Sequence, residues 1–98
     1  MSKIPNLDSL SKAQLEQWVS QNTPVTISSA SELFPSRPQD YIEAAELLLH
    51  FGLRRLYSLK FLEKGDLEAS RLSDKIADGI YRELPGYAKF RMNSGVCP

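Results

Sequence analysis

Ninety-eight residues make one domain, because two independent cores in so short a chain would each fall near the size at which burial barely offsets chain entropy. The chain is 42% hydrophobic and 24% charged, which excludes the disordered and collagen-like classes, and no stretch nears the roughly 20 apolar residues that span a bilayer, so no membrane partner is expected. Twelve bases cancel twelve acids, leaving no global field for nucleic acid, although residues 1–49 set three bases against six acids and residues 50–98 nine against six.

Ser11-Lys12-Ala13-Gln14 reads as a capping box, in which the Ser11 hydroxyl accepts from a free amide at a helix start and Gln14 reaches back to the Ser11 amide. Leu10 and Leu15 stand at the staple positions around it. The helix it opens runs over about 11–21, with Leu15, Trp18 and Val19 on one face, and Thr23-Pro24 stops it. Residues 22 to 36 are the least regular stretch. Its apolar residues Val25, Ile27, Leu33 and Phe34 predict a segment lying over the core, and Ser29-Ala30-Ser31-Glu32 offers a cap for a single helical turn before Pro35.

From Pro38 the pattern is strongly helical, with Ser36 or Asp40 as the expected cap and Glu43 near the positive end of the helix dipole. Glu43, Glu46, His50, Arg54 and Ser58 fall at steps of three or four and form one polar stripe. That continuity predicts one helix to about Glu63. The rival is a break at Gly52, since glycine costs about 1 kcal/mol in a helix interior and is the preferred residue just past a helix end. The rest of the circumference is apolar, which predicts a central helix covered from more than one side, by residues 1–37 or by a second molecule. Lys64-Gly65-Asp66 then combines a C-terminal cation, a glycine able to turn left-handed and an N-cap aspartate, a tight helix-to-helix turn. The next helix is expected to bury Ala69, Leu72, Ile76, Ile80 and Leu84 with Ala77 and Tyr81 beside them, to expose Glu68, Arg71, Lys75, Asp78 and Arg82, and to stop at Leu84-Pro85-Gly86. Tyr87, Ala88 and Phe90 are placed to pack back onto the hairpin.

The fold class expected is therefore all-α: a short N-terminal helix (about 11–21), a long irregular cover segment with a one-turn helix, then an antiparallel helical hairpin (about 38–63 and 66–84). Residues 1–8 and 92–98 are expected as flexible ends of the single domain 1–98. The single cysteine, Cys97, excludes an intramolecular disulfide, and the first residues lack the apolar run of a secretory signal; together these point to a cytoplasmic protein.

Chemistry is sparse. The one histidine, His50, lies between Glu46 and Arg54 on the polar stripe, and with no nucleophile at a diagnostic spacing it reads as a surface residue, so no catalytic residue and no enzyme activity are expected. One His and one Cys make no transition-metal site. The carboxylate pairs Glu43/Glu46 and Asp74/Asp78 lack the Glu-x-x-His motif of a di-metal bundle, and the five glycines form no phosphate loop, so neither metal nor cofactor is expected. Two binding readings remain. In the first, a non-enzymatic interaction or oligomerisation module binds another protein or a second copy of itself through Leu49, Leu53, Leu56, Tyr57, Tyr87 and Phe90. In the alternative, a nucleic-acid-binding or regulatory protein uses the Arg54, Arg55, Lys60 and Lys64 face, with Arg71, Lys75, Lys89 and Arg91 nearby.

Two stretches, Ile4-Pro5-Asn6-Leu7-Asp8-Ser9-Leu10-Ser11 and Ile80-Tyr81-Arg82-Glu83-Leu84-Pro85-Gly86-Tyr87-Ala88, together resemble small helical proteins of bacteria and phages. The resemblance implies a helical fold and no enzyme activity. Phe90 stands where such sequences tend to carry a tryptophan.

Overall fold

The structure, a computed structural model, describes residues 4–35 and 37–90, the side chain of Tyr87 excepted. Ser36, Arg91, Cys97, and residues 1–3 and 92–98 of the expected flexible ends, lie outside the described residues. The described chain is all-helical: α1 (Lys12–Gln21), α2 (Ile27–Leu33), a 3-10 turn at Pro38–Asp40, α3 (Ile42–Glu63), α4 (Leu67–Glu83) and a second 3-10 turn at Gly86–Ala88.

The capping box that opens α1 is complete: the Ser11 hydroxyl accepts from the Gln14 amide at 3.2 Å and Gln14 Oε1 accepts from the Ser11 amide at 2.9 Å. Ahead of it, Leu7 is fully buried and Ile4 packs against the core, so residues 4 to 10 lie on the body of the fold. The helical turn expected after Ser29 starts earlier. Thr26 caps α2 and shares a reciprocal box with Ser29, which extends the segment to seven helical residues and buries Ala30 and Leu33. Thr26 carries the same hydroxyl chemistry as Ser29 but precedes Ile27, and it thereby adds one more turn.

α3 begins at Ile42, later than expected from Pro38. Asp40 is not its cap: its carboxylate pairs with Arg37 at 2.8 Å and closes the 3-10 turn, and Tyr41, at φ −122°, separates that turn from the helix. From Ile42 the helix runs unbroken through Gly52 to Glu63. Gly52 is explained by packing. A Cβ there would stand 2.6 Å from Trp18 Cζ3 and 3.0 Å from Cε3, so the absent side chain is the seat of the α1 indole.

At the hairpin, Gly65 has φ +80°, its amide donates to the Leu62 carbonyl and the Asp66 amide donates to the Phe61 carbonyl, while Asp66 Oδ1 accepts from Ala69. These bonds form a Schellman closure running straight into an N-cap. α3 is the central element, contacted by α1, α2 and α4. Past α4, Ala88 and Phe90 fold back as expected, and Phe90 joins Phe51 and Tyr81 in a cluster of edge-to-face rings with centroids 5.1 to 6.0 Å apart.

Candidate interaction surface on the outer side of α4

The face that α4 turns to α3 keeps Ala77, Tyr81 and Leu84 of the expected set but is rotated toward serines. Ser70, Ser73, Ala77 and Tyr81 are buried, spaced three and four residues apart along one line of the helix. Ser70 and Ser58 share a hydrogen bond of 2.9 Å between their hydroxyls, and the Ser73 hydroxyl donates to the Arg54 carbonyl at 2.6 Å. Small side chains let two helices approach closely, and these buried hydroxyls are paired with one another or with a carbonyl. Ser58 therefore leaves the polar stripe of α3: it is fully buried, whereas Glu43, Glu46, His50 and Arg54 are exposed.

With the small residues inside, the large apolar ones expected in the core are displaced to the rim or beyond it. Leu72 is 60% exposed and Ile76 38%, while Ala69 and Ile80 are half-buried; of the expected set, Ala77, Tyr81 and Leu84 are buried. Leu72 and Ile76 lie one turn apart, so α4 carries an outward apolar ridge. Nothing in the periodicity of the apolar residues reveals this. The signal that does is the small-residue line Ser70, Ser73, Ala77, matched by a serine on α3.

The residues expected to bind a partner separate. Leu56 and Phe90 are core residues, 5% and 4% exposed, and present no surface. Leu49 and Leu53 are half-buried, and Tyr57 is 43% exposed. The side chain of Tyr87 lies outside the description.

The four basic residues of the nucleic-acid alternative are likewise not equivalent. Arg54 and Lys64 are exposed and Lys60 is half-buried. Arg55 is drawn into the fold: its Nη1 lies 2.7 Å from Asp74 Oδ1, and its Nε, enclosed and without a hydrogen-bond partner, lies 3.8 Å from Asp8 Oδ1. Arg55 thus ties the N-terminal segment, α3 and α4 together. Arg54 and Lys60 are six residues apart, about 240° around a helix, so they sit on different sides of α3.

His50 is exposed, and with Glu43, Glu46 and Leu47 it borders a shallow depression on α3. Among the described residues no three His, Cys, Asp or Glu side chains gather into a metal-holding group, and no helix is long and apolar enough to cross a membrane. Lys12 Nζ donates to Glu63 Oε1 at 2.9 Å and Oε2 at 3.1 Å, and this hydrogen bond, with the charges of Glu63 and Glu16, raises the lysine above its ordinary value against a smaller opposing effect of desolvation. The pair ties the start of α1 to the end of α3. Comparison of the chain with protein-family models, with curated proteins and with solved structures finds no match.

Proposed function

We propose that this protein is a non-enzymatic interaction module that self-associates through the outer apolar ridge of α4. The observation that supports this reading is the exposure of Leu72 and Ile76 on a helix whose inner face is already closed by serine and alanine. Full burial of a wholly exposed leucine or isoleucine contributes about 1.5–3 kcal/mol, and the still exposed parts of Leu72 and Ile76 supply the corresponding fraction of it on each of two chains. Tyr57, exposed on α3, stays accessible to a partner without rearrangement.

Light scattering after size-exclusion chromatography, from low to high micromolar chain, tests the reading. The wild-type mass should rise with concentration, and Leu72→Glu/Ile76→Lys should hold it at the monomer value while circular dichroism stays unchanged. A wild-type chain that remains monomeric throughout refutes self-association. Assembly indifferent to both substitutions refutes the ridge.

A further inference from the structure

A cleft of about 580 Å³ opens between the end of α1, the end of α2 and the N-terminal segment, lined by Pro5, Trp18, Gln21, Asn22, Glu32 and Leu33. That is the size of a small-molecule site, and the wall mixes apolar surface with a few polar groups, as such sites do. Trp18 and Leu33 are buried and Pro5 is half-buried, so packing sets the apolar part, with the indole seated on Gly52 by its Cε3–Cζ3 edge.

The polar part has one sign. Gln21 and Asn22 are the last residue and the C-cap of α1, and Glu32 and Leu33 end α2, so the negative ends of two helix dipoles meet at the cleft, and neither helix has a basic residue in its last turn. Glu32 adds a full carboxylate, exposed and in no ion pair among the described residues, while Arg37, the next cation along the chain, is paired with Asp40. Asn22 is buried, and its Nδ2 donates to the Trp18 carbonyl at 2.8 Å, which holds the amide in place and leaves Oδ1 as an acceptor.

We propose that this cleft binds a small organic cation, an aliphatic ammonium whose stem packs on Trp18, Leu33 and Pro5 and whose charged head lies against the Glu32 carboxylate and the end of α1. An ammonium carries three donors and no acceptor, the complement of a wall that offers acceptors and negative charge. An anion of the same length meets like charge, and a neutral alcohol keeps the apolar contact but loses the Coulomb attraction. The cleft is built from α1, α2 and the N-terminal segment, none of which carries the α4 ridge, so the site stands whether or not the chain self-associates.

Trp18 is the sole tryptophan and lines the cleft, so its emission reports an occupant directly. The full chain at neutral pH and low salt is titrated with n-pentylamine, n-pentanol and pentanoate. The amine should give a saturable change in emission, with an affinity about fivefold above that of the alcohol, and pentanoate should give none. Glu32→Gln should bring the amine down to the level of the alcohol and Glu32→Lys should abolish its binding, both with unchanged circular dichroism. A chain that answers all three compounds alike, that shows no saturable response to the amine, or that binds it equally well in both Glu32 variants overturns the cation site. The titration is repeated on Lys3→Gln, because Lys3 stands two residues before Pro5. Amine binding that appears only in that variant assigns the cleft to the chain's own lysine and likewise overturns the proposal.

Discussion

Gly52→Ala introduces a methyl group where Trp18 Cζ3 would stand only 2.6 Å away and Val19 Cγ2 3.5 Å away. Two opposing effects follow. Alanine favours the helical backbone by about 1 kcal/mol, the gain expected at an open helical position. Overpacking against a buried ring costs about 1–3 kcal/mol, because the indole must move. Trp18 is nearly buried, and the carbonyl of its own residue already holds the Asn22 side-chain amide at 2.8 Å, so the backbone that carries the ring is tied in place. The steric effect should win, leaving a net loss of up to about 2 kcal/mol and a fall in Tm of about 4–8 °C for each kcal/mol in a domain of this size. Thermal unfolding followed by circular dichroism reads it, with the emission of the sole tryptophan as a local report. The decisive comparison is the Trp18→Leu background, where the methyl group meets less and Gly52→Ala should be neutral or stabilising. Equal effects in the two backgrounds, or a stabilised single variant, would refute the account of Gly52 as the seat of the indole.

The buried hydroxyl pair gives a second test. Ser58→Ala should leave the Ser70 hydroxyl without its partner at a cost of about 1–3 kcal/mol, while Ser58→Ala/Ser70→Ala should recover most of that loss in urea unfolding. For the Lys12–Glu63 pair the sign follows from the raised lysine. On the alkaline side its contribution is present up to the unfolded value of 10.5 and is lost as pH rises through the higher folded value, so the stability difference between wild type and Lys12→Met should shrink above about pH 10.5 in matched denaturation curves.

The hairpin is legible in the sequence because its chemistry is local: Gly65 supplies the left-handed turn and Asp66 the next cap, whatever packs around them. The capping box at Ser11 is legible for the same reason. The outward ridge is not. Apolar spacing identifies Leu72, Ile76 and Ile80 as a stripe, and burial of that stripe is the natural expectation for a helix in a small domain. Which stripe faces inward is decided on α3, where Ser58 and the Arg54 carbonyl provide partners that only Ser70 and Ser73 can use. Gly52 illustrates the same limit, since its reason is an aromatic ring on another helix. Phe90 and Leu56 read equally well as surface anchors or as core until the ring cluster with Phe51 and Tyr81 places one of them and the packing around α3 the other.

The hydroxyl seam has a mechanical consequence. Greasy interfaces tolerate axial slippage, since one methyl group replaces another at little cost. Directional bonds do not. Sliding α4 by a single residue, about 1.5 Å, would break Ser58–Ser70 and Ser73–Arg54 together and pull Asp74 off Arg55. The hairpin is therefore indexed, its two helices locked at one relative height, and whatever lands on the outside of α4 meets a stiff ruler with Leu72 and Ile76 as its fixed graduations.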